Sequence, residues 1–212
     1  MTMKPIVASW SIERFNMTLA MWWIMMMAMM LPSAAPTVLL FARSAAHGNP
    51  DERRLPTDAF MVGYLIAWGL FSLGATIAQW QFDRLNLLGP MQMTLTNRWL
   101  TAAVLLLAGM YQLTPQKDAC LRQCRHPAQF LSRHYRPGWT GALRMGVLHG
   151  SYCVGCCWLL MALLFVGGVM NLAWIAFLTV LVALEKLLPK GRLVATTSGL
   201  VLIVAGGATL LG

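Results

Sequence analysis

Long apolar segments separated by short polar loops dominate the sequence. Six segments have roughly the 18 or more apolar residues needed to cross about 30 Å of hydrocarbon at 1.5 Å per residue. The predicted spans are residues 17–42, 59–80, 97–114, 141–167, 169–187 and 193–211. Because the segments lack the alternation of barrel strands, their backbone polar groups must be satisfied within helices. The pattern predicts an all-α, polytopic transmembrane helix bundle forming one integral membrane domain over residues 1–212.

The division between the fourth and fifth spans rests on a long stretch without charge. From Met145 to Leu184 no charged residue occurs. A single helix of that length would reach about 60 Å, twice the thickness of the bilayer core. Gly167, Gly168 and Asn171 are typical turn residues within the stretch. We therefore expect two helices joined at this point.

The composition and charge of the chain agree with a membrane protein. Charged residues make up 11% of the chain and hydrophobic residues 58%, against about 25% and about 45–50% in soluble domains. A net charge of +9 would suggest nucleic acid in a soluble protein, but here the basic residues lie in short loops between spans. We expect membrane lipid as a partner and no nucleic acid.

The distribution of basic residues predicts the orientation of the chain. The loops after the first, third and fifth spans hold twelve Lys and Arg residues, whereas the opposite side holds four. Under the positive-inside rule the twelve are cytoplasmic, which places both termini on the outer, periplasmic side. The longest of these loops, residues 115–140, is the predicted basic cytoplasmic loop.

The most informative chemistry lies in the fourth span, in the segment HGSYCVGCCW at residues 149–158. At 100° per residue, Cys153 lies about 40° and Cys156 about 20° from His149 on the helix surface, and Met145 joins the same stripe. Cys157 lies roughly 80° away and is a further candidate ligand. Thiolate and thioether groups select Cu(I), and zinc, which also accepts imidazole, is the competitor. The alternative is that these cysteines are inert, small core residues.

The first span is unusually rich in methionine. Its thioethers recur at helical spacing on several faces of the helix. The candidate accessory ligands are Met21, Met25, Met26, Met29 and Met30. Methionine is a weak, soft ligand, which suits the passing of Cu(I) from site to site, although it is also an adaptable core filler. We expect an accessory path for copper along this helix.

The basic loop contains a second pair of cysteines. Thr114 and Pro115 predict the start of a helix, after which Cys120 and Cys124 lie four residues apart on one face. Together with His126 they form a candidate second metal site on the cytoplasmic side. The arginines around them favour an interfacial helix against anionic lipid headgroups. The two roles are compatible.

Five segments of the chain follow a known pattern. They are residues 29–36 (MMLPSAAP), the run from Tyr111 through Cys120 and Cys124, residues 149–158, residues 167–171 (GGVMN) and Glu185-Lys186. In these segments the chain resembles a family of uncharacterised bacterial integral membrane proteins described as predicted metal-binding. The resemblance covers nearly the whole chain. It implies a multi-pass protein of the bacterial inner (cytoplasmic) membrane with a metal site, and it implies no demonstrated activity.

The leading hypothesis is a protein that binds, transfers or transports Cu(I), in exchange with a membrane or periplasmic metal-handling protein, and it favours binding over an enzymatic activity. One alternative is a membrane oxidoreductase, either a copper monooxygenase-like subunit or a thiol redox carrier using the spacing of Cys153 and Cys156. The chain has only four histidines, which weakens the monooxygenase-like alternative. Another alternative is a structural subunit of a membrane complex. No catalytic residue is predicted, and no nucleotide-binding glycine motif occurs.

Overall fold

The structure, a computed structural model, describes residues 10–45, 54–89 and 91–211. Within these ranges the chain consists of helices and connecting turns, with an isolated bridge between Leu88 and Leu95. The helices are α1 (Ile12–Ala45), α2 (Arg54–Arg84), α3 (Arg98–Gln112), α4 (Pro115–Arg125), α5 (Pro127–His134), α6 (Gly138–Ala162), α7 (Leu164–Gly167), α8 (Leu172–Leu187) and α9 (Gly191–Leu211). The predicted all-α helical bundle is confirmed.

Four helical segments are long and apolar enough to cross a membrane. They are Ile12–Ala45, Pro56–Arg84, Gly138–Gly167 and Gly191–Leu211. Helix α3 has 15 residues and α8 has 16, so each reaches only about 22–24 Å, less than the roughly 30 Å of a bilayer core. The six spans, the single membrane domain and the side on which the termini lie stay predictions. The predicted loop after the first span lies partly outside the described residues.

The turn expected after the fourth predicted span is present in the structure. Gly168 adopts a φ of 101°, a left-handed conformation that glycine accepts without a steric penalty. Asn171 then caps α8 by accepting a hydrogen bond from the backbone N–H of Trp174. These two residues therefore separate α6 and α7 from α8, as their chemistry predicts.

Helices α2 and α6 approach each other backbone to backbone. A Cβ atom added at Gly146 would lie 2.0 Å from the carbonyl oxygen of Phe60, and one added at Gly63 would lie 2.2 Å from the carbonyl oxygen of Leu143. Only glycine permits contact this close, and paired small residues are the usual means of close helix packing in membranes. The contact brings the side chain of Tyr64 against the buried face of α6.

Helix α4, part of the predicted basic loop, is packed into the bundle. Its start is the predicted one, because the side chain of Thr114 accepts a hydrogen bond from the backbone N–H of Lys117 and Pro115 follows the cap. The buried Lys117 ammonium lies 2.6 Å from Oε2 of Glu185 on α8, and each side chain is 1% exposed. Gln112 of α3 donates a hydrogen bond to the other oxygen of this carboxylate, Oε1. This buried polar network holds α3, α4 and α8 together.

Candidate metal centre

The five cysteines of the chain belong to one region of the structure. Cys153, Cys156 and Cys157 are buried in α6, whereas Cys120 and Cys124 are half-buried in α4, and none of the five forms a disulfide. The three cysteines of α6 belong to the main hydrophobic core, and the two of α4 pack against it. The candidate site in the fourth span and the cysteines of the candidate second site therefore lie on helices that face each other.

Cys153 occupies the most polar position in this region. Its Sγ lies 3.0 Å from the ammonium of Lys186 on α8 and 3.2 Å from the hydroxyl of Tyr64 on α2. Nearby, the Sγ of Cys157 lies 4.0 Å from the thioether sulfur of Met30 on α1. Five helices (α1, α2, α4, α6 and α8) thus contribute to or border a sulfur-rich centre, the sulfur centre, formed by the side chains of Met30, Cys124, Cys153, Cys156 and Cys157.

The thiols of the sulfur centre interact with one another. The Sγ atoms of Cys156 and Cys157 each donate to the backbone carbonyl of Cys153 at 3.0 Å. From α4, the Cys124 thiol lies near Cys153 and Cys156, and its interactions with these two thiols, followed by burial, raise the pKa of Cys124 well above its ordinary value.

Cys120 lies at the edge of the sulfur centre. A Cβ atom added at Gly155 of α6 would lie 3.0 Å from its Sγ, so the glycine makes room for this thiol. Burial raises the pKa of Cys120, and the nearby Cys156 adds a smaller contribution in the same direction. Cys120 packs against α6, and only Cys156 among the other cysteines contributes to the shift of its pKa.

His149 and Met145, predicted in one column with Cys153 and Cys156, lie in an aromatic layer of the core beside the sulfur centre. The ring of His149 lies against the aromatic rings of Phe60, Tyr64 and Phe130. The His149 side chain is 2% exposed, and its Nδ1 has no hydrogen-bond partner among the described residues. Met145 belongs to a second hydrophobic cluster together with Phe130. Tyr64 connects the two layers, because its ring stacks on His149 and its hydroxyl contacts Cys153.

The remaining predicted ligands divide into buried and exposed groups. Met26, Met29 and Met30 are buried in the core that contains the cysteines, and Met21 and Met25 pack against that core. His126 is exposed at the junction of α4 and α5. The structure therefore brings the methionines of α1, but not His126, towards the cysteines.

A chain of polar and thioether contacts joins α1 and α2 to the loop before α3. The indole N–H of Trp22 donates to Oε1 of Gln79 at 2.6 Å, and the amide of Gln79 donates to the thioether of Met93 at 3.1 Å. Met93 lies in the loop between α2 and α3. Two residues away, Met91 is 91% exposed.

Lys186 is the residue of the site that hydropathy could not identify. The positive-inside count treats it as one of the cationic loop residues after the fifth span. In the structure Lys186 lies in the last turn of α8 and is 5% exposed, directly beside the buried Glu185. The only sequence signal for this is that the Glu185-Lys186 pair is one of the segments that carry the family resemblance.

The fold and the sulfur centre together define a class of protein. It is a helical bundle with long apolar helices and a buried group of soft metal donors. Among the described residues, no set of three or more His, Cys, Asp or Glu side chains is arranged to hold a metal ion. What the residues offer is therefore soft-ligand chemistry, in the form of adjacent thiols and a thioether, and not a closed ligand cage.

A family model described as a copper chaperone (PpoB2) matches residues 19–209. The chain belongs to this family. Comparisons with curated proteins and with solved structures gave no match. Membership confirms the metal-related family, the copper-related role and the association with copper that the sequence predicted.

Proposed function

We propose that the protein is a copper chaperone embedded in the bacterial inner membrane, which holds Cu(I) at the sulfur centre and passes it to a partner protein. The observation that carries this proposal is that thiols from two helices far apart in sequence meet beside a methionine thioether. Cys124 comes from α4, Cys153 and Cys156 from α6, and Met30 from α1. Thiolate and thioether sulfur are the donors that select Cu(I) among cellular metals.

In this proposal Cys153 and Cys156 are the principal ligands. Both interact with the thiols of Cys124 and Cys157, which are thus placed to act as exchangeable third ligands. Cu(I) accepts a small number of soft donors, so a preformed set of three ligands is not required. When Cu–S bonds form, the thiols give up their protons. A site with few fixed ligands and spare donors beside them favours transfer over permanent storage.

The methionines of α1 form the proposed transfer path. Met30 lies next to Cys157, and Met26 and Met29 belong to the same buried core. Weak thioether ligands release Cu(I) easily, which suits handing it on. The contacts from Trp22 through Gln79 to Met93 extend towards the exposed Met91. We propose that this end of the bundle exchanges copper with a membrane or periplasmic metal-handling protein.

His149 and Met145 have a supporting role in this proposal. Both border the aromatic layer, and His149 acts on the centre through Tyr64, whose ring it stacks on and whose hydroxyl contacts Cys153. A copper monooxygenase-like centre would need several imidazoles around one metal. The exposed position of His126 gives that alternative no additional support. The candidate second site becomes, in this proposal, part of the first.

Substituting Cys124 tests whether α4 contributes to the copper site. Purified wild-type protein in detergent, titrated anaerobically with Cu(I) against a competing chelator, should bind about one equivalent. Cys124→Ser should bind Cu(I) about tenfold more weakly, a change of about 1.4 kcal/mol, because one of the two exchangeable third ligands is lost and Cys157 remains. Cys120→Ser is the matched control, a cysteine of the same helix at the edge of the centre.

The outcomes of this titration separate the alternatives. Equal effects of the two substitutions would contradict a specific role of Cys124. Wild-type protein that binds no Cu(I) would contradict the chaperone proposal altogether. If that protein instead forms a disulfide between Cys153 and Cys156 and a mixed disulfide with a partner, the thiol-carrier alternative gains support.

A further inference from the structure

The buried ammonium of Lys186 is in contact with the sulfur centre. Its Nζ lies 3.0 Å from Sγ of Cys153, 3.4 Å from Oγ of Ser33 and 3.7 Å from Sδ of Met30. Lys186 takes part in none of the ion pairs found among the described residues. The neighbouring carboxylate of Glu185 is paired with Lys117. The nearest groups that can carry a compensating negative charge are therefore the thiols.

A buried cation without a compensating charge is strongly unfavourable. A lone charge in the interior costs several kcal/mol or more, so buried charges in proteins are paired or bind metals. The same argument applies to a metal site. Two thiolates around Cu(I) carry a net charge of −1, and burying that charge without a countercharge is just as costly.

We propose that Lys186 is the fixed countercharge of the sulfur centre and makes the centre selective for a monovalent metal ion over a divalent one. The inference rests on the proposed function and deepens it. Two thiolates, one ammonium and Cu(I) sum to zero charge. The same groups around Zn²⁺ sum to +1, which a low-dielectric interior disfavours. Sulfur donors alone do not exclude zinc, which also binds thiolates. In a site of two thiolates, the charge of Lys186 supplies that discrimination, because zinc would need a third thiolate to reach zero charge.

The inference predicts opposite changes in the affinity for two metals. Lys186→Met keeps the length and apolar stem of the side chain and removes the charge. Lys186→Gln also removes the charge but keeps a hydrogen-bond donor. Without the charge, the site with Cu(I) is left at −1 and the site with Zn²⁺ becomes neutral. Both variants should therefore bind Cu(I) about 100-fold more weakly and Zn²⁺ as well as, or more tightly than, the wild type.

The experiment is a pair of competition titrations, one with Cu(I) under anaerobic conditions and one with Zn²⁺, on the full chain in detergent. Lys190→Met, the same substitution at an exposed lysine on the loop after α8, is the matched control and should leave both affinities unchanged. If Lys186 had only a structural role, its replacement would lower the affinities for Cu(I) and Zn²⁺ by similar factors, and that result would overturn the inference. Unchanged Cu(I) affinity in both variants would also overturn it. Wild-type protein that binds no Cu(I) would instead refute the proposed function.

Discussion

Replacing Cys153 and Cys156 together with serine is expected to abolish Cu(I) binding by the purified protein. The thiols of Cys124 and Cys157 both interact with these two cysteines. The double substitution therefore removes the two sulfur atoms that connect the other thiols of the centre. Serine oxygen is a hard donor and a poor substitute for thiolate at Cu(I). We expect copper content to fall from about one equivalent to background, measured by elemental analysis after anaerobic loading.

A control measurement must show that the double variant is still folded. Serine is close to cysteine in volume, so thermal unfolding in detergent should show a modest loss of stability and no loss of the cooperative transition. Cys120→Ser should keep its copper, because this thiol lies at the edge of the centre. Copper retained in the double variant at the wild-type level would reject the assignment of the two ligands.

Replacing Lys117 with methionine is expected to lower the free energy of unfolding by about 3–5 kcal/mol. The substitution leaves the carboxylate of Glu185, 1% exposed, as a buried charge without a partner. Its remaining hydrogen bonds come from Gln112 and Ser198, which are neutral donors and do not balance the charge. Because the same ion pair holds α4 against α8, its loss should also loosen the helix that carries Cys120 and Cys124.

Two measurements check the prediction for Lys117. Thermal unfolding in detergent gives the stability loss, and labelling of the native protein with a thiol reagent should reach Cys120 and Cys124 faster in Lys117→Met than in the wild type. The second variant is Lys117→Met combined with Glu185→Gln, which removes the unpaired charge and should recover part of the lost stability. A loss below about 1 kcal/mol, the range of an exposed ion pair, would show that the pair is not buried in the folded protein.

The sequence predicts the helices and several of their boundaries because these depend on local chemistry. Thr114 and Pro115 start α4 as expected, and Gly168 and Asn171 separate α6 and α7 from α8. Hydropathy was less informative about span count. Helices α3 and α8 are shorter than a bilayer crossing requires. An apolar stretch shows that its residues avoid water, but it does not show whether lipid or protein surrounds them.

The sequence also identifies the sulfur residues but not their arrangement. Angular spacing on one helix places His149 on the same stripe as Cys153, yet it cannot show that three aromatic rings surround His149. It cannot show that α4 faces α6 either, since that contact joins residues far apart in the chain. Lys186 was missed for a related reason: a lysine at the end of an apolar segment is typical of an interface, and only its tertiary contacts reveal that it is buried.

The most direct test of the sulfur centre is X-ray absorption spectroscopy at the copper K-edge. The wild-type protein, loaded anaerobically with about one equivalent of Cu(I) and freed of excess metal, should give the edge of Cu(I) and a first coordination shell made only of sulfur. The Cys153→Ser, Cys156→Ser double variant should retain no such copper. A shell of nitrogen or oxygen donors in the wild type, or the same sulfur shell in the double variant, would contradict the account.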